Sequence, residues 1–440
     1  MNVVRYTDSD FAAQLGTLAA PSSLFDPVIE ERTRAILKQV ADAGDRALVE
    51  LTEKFDGAAL SVDQLAVTKA EQMTAALMAD ATLRSAVAMA RKNIEAFSQR
   101  AKRKPWSSRN RQGGTVGEKF DAFQRVGIYV PGGTAPLAST ALMTILLAKV
   151  AGCPEIVVCS PCGKDGSLNP ALLYAATVAG ATEIYRVGGS QAIAAMAYGT
   201  PTIKRVNKIF GPGNAYVVAA KRLLFGSVSI DLLPGPSEVL VLADDTADSR
   251  WAAADLLAQA EHGSGHERVW LITPSLKFLK AVAKEIALQL KTLKRREFIE
   301  RALKSNGWLI QVKDLDQAVD LANQLAPEHC EIMTRKPAQI AERLRTAGAL
   351  FLGGYSPTVL GDYMAGPSHT LPTGGAGASF AGLTVDQFQR RTSVVEYSKP
   401  ALKRSLSTIA TFAALEGLDA HGRSASIRIQ RALNKSLKTR

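Results

Sequence analysis

Apolar residues recur at intervals of three and four through residues 8–99. In PVIEERTRAILKQVADAG and SVDQLAVTKAEQMTAALMADATLRSAVAMARKNIEAF they fall on one face of a helix, so the spacing predicts a helical stretch. The polar, basic AKRKPWSSRNRQGG that follows reads as a linker or exposed arm. Beyond it the period changes. RVGIYV, EIVVCS, EIYRVGG and RVNKIFG have strand length and composition. LASTALMTILLAKVAG, LNPALLYAATVAG, QAIAAMAYG and PGNAYVVAAKRLLFG between and after them read as helices. That alternation implies a mostly parallel sheet with helices on its faces.

A second run obeys the same grammar. EVLVLAD is a strand, and DSRWAAADLLAQAEHG is a helix capped by Asp248 or Ser249 and stopped at Gly263. ERVWLITP, a long helix from Ser275, GWLIQV, LDQAVDLANQLA, EHCEIMT, KPAQIAERLRTAG and ALFLGG complete it. Two successive α/β halves of similar size suggest an old duplication. From about residue 383 the pattern returns to helices and ends in a basic tail. The fold class expected is α/β: two Rossmann-like parallel-sheet halves with small helical N- and C-terminal segments.

Composition narrows the class. A chain of 440 residues with 47% hydrophobic and 21% charged residues is globular rather than disordered or coiled coil, and long enough for several cores. No apolar run approaches the ~20 residues that span a bilayer. The opening MNVVRYTDSDF has charges where a secretory signal needs an apolar stretch, so a soluble, cytoplasmic chain is expected. The net charge is +12, concentrated in residues 91–111, in a Lys-rich helical stretch at 277–304 and in the last forty residues. None of these interleaves aromatic residues with bases, so no nucleic-acid partner is expected. Cys159-Ser-Pro-Cys162 has C-x-x-C spacing, but with no second pair it reads as two small residues closing a strand.

Chemistry is suggested at four places. Glycine turns follow the strands of the first half, at 131–133, 188–190 and 211–214, where backbone N–H groups approach phosphate; no G-x-G-x-x-G is present. Gln259 and His262 lie three apart on one predicted helix and share a face near its end, and Asp362 follows a glycine-rich turn and offers a carboxylate. Pro327-Glu328-His329 closes a helix and opens a strand with a carboxylate and an imidazole suited to acid–base work. The loop GPSHTLPTGG, which contains His369, is too rich in Gly, Pro and hydroxyls for a plain connector.

Over residues 26–423 the chain resembles histidinol dehydrogenases, through GIYVPGGTAPLASTALM, GGSQAIAAMAYGT, KIFGPGNAYVVAAKR, DLLPGPSEVLVLAD, DLLAQAEHG, APEHCEI, AGALFLGGYSPTVLGDY and EGLDAHG in that order. The resemblance implies NAD-linked four-electron oxidation of L-histidinol, through the aldehyde, to L-histidine. It implies one Zn2+ per subunit, held by Gln259, His262, Asp362 and His421. Glu328 and His329 match the catalytic pair, His329 as proton acceptor and Glu328 as the group that activates water. Tyr129, Gln191 and Asn214 match NAD contacts. Ser237, Gln259, His262, His329, Asp362, His369, Glu416 and His421 match substrate positions. Ser368, Cys330 and the loop 374–382 depart from the family's pattern.

The resemblance also implies a domain arrangement: a helical segment at 1–25; an α/β domain of 26–125 plus 237–382 with the metal and catalytic residues; an NAD-binding α/β domain at 126–236; and a helical segment at 383–440 that contributes to the partner's active site in a homodimer. A paralogue acting on another small amino alcohol or diol is the alternative enzyme.

Overall fold

The computed structural model describes residues 1–18, 26–132 and 137–430; the expected turn at 131–133, the end of the 1–25 segment and the end of the basic tail fall partly outside them. In chain order the strands are β1 (Asn2–Arg5), β2 (Trp106–Arg109), β3 (Thr115–Ala122), β4 (Arg125–Tyr129) and β5 (Glu155–Ser160). They continue with β6 (Glu183–Arg186), β7 (Lys208–Phe210), β8 (Ser229–Ile230), β9 (Glu238–Ala243) and β10 (Arg268–Thr273). The last four are β11 (Gly307–Gln311), β12 (His329–Met333), β13 (Ala349–Leu352) and β14 (Gln389–Glu396).

Two parallel sheets dominate, as the alternating pattern predicts. One runs β6-β5-β4-β7-β8 and the other β1-β11-β10-β9-β12-β13. Helices cover both, and every residue of β4 and of β9 is buried, because a parallel strand has no solvent face to keep polar. The predicted caps form: Asp248 accepts from Arg250 N and opens helix Ser249–Ala260, and Ser275 caps helix Leu276–Gln289.

Three expectations are corrected. Asn2–Arg5 is an edge strand paired with β11, so the first 25 residues are not wholly helical. Four residues are too few for a period to show. The early helices Pro27–Ala43 and Asp45–Asp56, expected with the catalytic half, instead send Leu37, Val40, Leu48 and Leu51 into one core with Tyr129, Val157 and Cys159 of the five-stranded sheet and Ile193 of helix Gly189–Tyr198. An amphipathic face predicts burial, but not which sheet receives it. The third correction concerns the expected linker and the expected all-helical C-terminal segment: β2 and β14 pair antiparallel on either side of β3.

The chain divides into two compact units, Met1–Lys102 with Phe123–Phe388, and Arg103–Ala122 with Gln389–Arg440. The first holds both parallel sheets. The second comprises the β14-β3-β2 sheet and helices Lys399–Leu415 and Asp419–Ser426.

Candidate active site

Strand β12 begins at His329 and pairs in parallel with β9, so that His329 lies opposite Val239. The dipeptide Glu328-His329 therefore sits at the amino ends of these strands, beside Ser237 and Glu238. The turn into it is strained: Ala326 has φ 46°, the one positive φ of a non-glycine among the described residues.

Both side chains are buried. The main-chain carbonyl of Glu238 lies 2.9 Å from His329 Nδ1. A carbonyl only accepts, so Nδ1 carries the hydrogen and Nε2 keeps its lone pair. That Nε2 is 3.9 Å from Asp362 Oδ1. Burial lowers the proton affinity of His329 more than the Asp362 charge raises it, leaving a neutral imidazole. Glu328 Oε2 accepts from Glu238 N at 2.8 Å and lies 3.5 Å from His329 Nδ1. Burial, helped by the Glu238 and Asp362 charges, pushes the Glu328 carboxyl well above the carboxylate range. Glu238, absent from the sequence reading, is buried too; desolvation pushes it up to about 7 against the pull of Arg268 and the Gly374 N–H.

Asp362, His262 and His369 are the expected groups that neighbour His329. Gln259 is on helix Ser249–Ala260, buried, with its amide nitrogen lacking a partner. His262 stands just past the helix end rather than on it, exposed, with Nδ1 3.1 Å from Gln259 O. Asp362 belongs to helix Thr358–Tyr363. Asp362, His262 and His369 each act electrostatically on His329. His369 has both nitrogens engaged: Nδ1 is 3.0 Å from Asp362 O, and Nε2 is 2.9 Å from Thr140 Oγ1, on helix Ala138–Ala151 beside the other sheet. Ser237 is half-buried immediately before β9. A cavity of about 350 Å3, lined by His329, Phe351, Leu360, Ser368 and His369, opens beside them.

Among the described residues no three of His, Cys, Asp and Glu form a metal cage by themselves. The expected ligand set holds only two such residues in this unit, His262 and Asp362. An imidazole from His262, a carboxylate from Asp362 and the side-chain carbonyl oxygen of buried Gln259 would give a mixed N/O donor set of a kind that suits zinc. Glu416 and His421 belong to the second unit, where Glu416 ends helix Lys399–Leu415, His421 lies on helix Asp419–Ser426, and both are exposed.

The five-stranded sheet presents its glycine turns at the carboxyl ends of the strands. Tyr129 ends β4, and its hydroxyl accepts from Gly189 N at 3.1 Å. Gln191, in the first turn of helix Gly189–Tyr198, is buried with Oε1 unpartnered. Ser160 Oγ and Asp56 Oδ2 are also buried and unpartnered, and the ideal Cβ positions at Gly132 and Gly188 are 3.1 and 3.4 Å from them. Acceptors left bare there suit the hydroxyls of a ligand, and the N–H groups of the glycine turns suit its phosphates, both of which NAD carries. Exposed Asn214 caps helix Ala215–Leu224, accepting from Tyr216 N and Val217 N. Gly211 has φ 107°, and a Cβ there would lie 2.1 Å from Tyr129 O. Cys159 and Cys162 are free thiols that burial pushes up to about 12 and about 11, unlike a redox pair.

Sequence reasoning missed Glu238, Glu331, Thr140 and Asp56. A lone acid or hydroxyl within an apolar run carries no periodic signal, although Glu238 and Glu331 on buried strands were readable as anomalies.

The family model described as histidinol dehydrogenase matches residues 22–429. The histidinol dehydrogenase of Geobacillus kaustophilus is 48% identical over 405 residues, 91% of this chain and 95% of that one. That of Syntrophotalea carbinolica is 43% identical over 431 residues, 98% of this chain and 99% of that one. The crystal structure of histidinol dehydrogenase from Elizabethkingia anophelis superposes with TM-score 0.93 at 34% identity, covering 98% of each chain. Motif order, parallel sheets and a match over nearly the whole length agree: the chain belongs to the histidinol dehydrogenase family.

Proposed function

We propose that this chain is a zinc-dependent, NAD-linked histidinol dehydrogenase that oxidises L-histidinol by four electrons to L-histidine, the last step of histidine biosynthesis, in the cytoplasm. The observation that carries the reading is the neutral, buried His329, whose Nδ1 is tied to the Glu238 carbonyl and whose Nε2 faces Asp362.

NAD, bound at the glycine turns near Tyr129, Gln191 and Asn214, supplies the hydride acceptor. Zinc held by Gln259, His262, Asp362 and His421 supplies a Lewis-acidic anchor for the imidazole and amine of the substrate. His329 Nε2 takes the alcohol proton as hydride leaves the carbinol carbon, and later takes the proton of the hydrated aldehyde. Glu328 activates the water that adds to the aldehyde. Because burial holds its carboxyl protonated, that step accelerates with pH as the carboxylate forms. Ser237, His369 and Glu416 shape the substrate pocket, Glu416 as the counter-charge to the amine. Glu416 and His421 act in the partner's site of a homodimer. The exposure of Phe412 and Leu415 beside Glu416 supports a second copy covering that helix end.

The test is the amount of NADH formed per L-histidinol consumed, on protein treated with chelator and then reloaded with zinc. Two NADH per substrate, lost on chelation and restored by zinc, are expected, with kcat lowered about 10^2–10^4-fold in His329→Asn. No turnover by zinc-loaded protein overturns the reading and directs the search to other amino alcohols and diols.

A further inference from the structure

Two residues below His329 on the same face of β12 is Glu331, a carboxyl that the proposed chemistry does not use. It is 1% exposed, in a strand whose remaining residues beyond His329 are Cys330, Ile332 and Met333. The face it shares with His329 turns toward helix Ser249–Ala260, whose Ala253, Leu256, Leu257 and Ala260 pack in one core with Val239, Val241 and Met333. From that helix Asp255, 9% exposed, meets Glu331 carboxyl to carboxyl. Two carboxyls hydrogen-bond only if one keeps a proton, so the pair holds one proton between them. Glu331 Oε1 accepts from Thr358 N at 2.7 Å, the first residue of helix Thr358–Tyr363, and its buried Oε2 has no donor other than a proton shared with the neighbouring carboxyl.

Each of the three anchored elements carries one expected site residue. His329 is on Glu331's own strand, Gln259 is one helical turn beyond Asp255, and Asp362 is one turn beyond Thr358. We infer that Glu331, bridged to Asp255, is a positioning residue: one buried carboxyl pair fixes the strand of His329, the helix of Gln259 and the helix of Asp362 at a common point. A buried acid pair is a poor device for stability alone, since apolar residues of similar size fill such a place at equal or lower free energy. Its geometric value is directional. Thr358 N is a helix-start donor with no partner within its own helix, and the Glu331 oxygen that receives it sets where that short helix begins and so where Asp362 stands.

The inference rests on the zinc reading, and its test separates the two. Zinc affinity is measured by competition with a chelating dye for the wild-type chain, Glu331→Gln, Glu331→Ala and the double variant Asp255→Leu/Glu331→Leu, beside thermal melts and NAD binding. Glu331→Gln keeps the acceptor for Thr358 N and replaces the shared proton with an amide N–H, so it should hold zinc within a fewfold of wild type. Glu331→Ala and the double Leu variant should lose about 10- to 100-fold in zinc affinity with NAD binding unchanged. The double Leu variant keeps the core filled, so its melting temperature should not fall with its zinc affinity. Wild-type zinc affinity in the double Leu variant overturns the inference alone. A wild-type chain that binds no zinc overturns the zinc reading and this inference with it.

Discussion

His329 and Glu328 are neighbours with opposite electrostatic needs, and one cause serves both. Desolvation disfavours charge, so it keeps the imidazole neutral and the carboxyl protonated. Glu238 is the third member of the group and the one whose titration reaches stability. Its folded value of about 7 exceeds an ordinary 4.5, so the folded chain holds a proton there that the unfolded chain releases. The stabilising contribution is complete below pH 4.5 and is lost as pH rises through 7. Glu238→Gln keeps the oxygen that accepts from Gly374 N and cannot ionise. Its stability relative to wild type should therefore rise from pH 5 to pH 8 by up to about 3 kcal/mol, read from denaturant midpoints at each pH. Parallel pH profiles for the two proteins would contradict this account. The Glu328-His329 dipeptide was legible in the sequence. Glu238 was not, because its role depends on β9 pairing with β12.

At the scale of elements, the two sheets offer opposite ends. The glycine turns lie at the carboxyl ends of β4, β6 and β7, where helix N-termini favour an anion such as pyrophosphate. His329 lies at the amino ends of β9 and β12, where helix Ser249–Ala260 finishes and its C-terminal dipole favours a cation. The Gly211 turn has its own clamp. Buried Lys221 donates to Gly211 O at 3.0 Å and pairs with buried Asp231, whose Oδ2 accepts from Gly211 N at 2.7 Å. Lys221→Met leaves Asp231 buried and unpaired, and should cost about 3–5 kcal/mol of stability in chemical denaturation. A loss below about 1 kcal/mol would mean that water replaces the lysine, which 0% exposure of its side chain argues against. The helix of Lys221 was readable from its period and the glycine turn from its residues. The clamp was not, since Lys221 and Asp231 meet only once β7 and β8 pair.

For the whole molecule the open question of function is where the site's last groups come from. Glu416 and His421 belong to the second unit, and the proposal assigns them to the partner's site. Mixing separately inactive His329→Asn and His421→Asn proteins, then dissociating and reassociating them, should form mixed dimers with one intact site each. Activity should recover to about a quarter of wild type, since half of randomly reformed dimers are mixed. No recovery, with dimers reformed, would mean that each chain completes its own site.

The sequence by itself determined the alternation of elements, the parallel class of both sheets, the glycine turns and the Glu328-His329 dipeptide. Each of these is written in local period, in residue type or in a short contiguous motif. Tertiary structure alone decided that helices Pro27–Ala43 and Asp45–Asp56 join the five-stranded sheet, that Asn2–Arg5 is an edge strand and that β2 and β14 flank β3. It also decided that Glu238, Glu331, Asp255 and Thr140 surround the expected site residues. Those outcomes depend on pairings across tens to hundreds of residues, and an amphipathic face or a lone buried acid names no partner until the chain has closed around it.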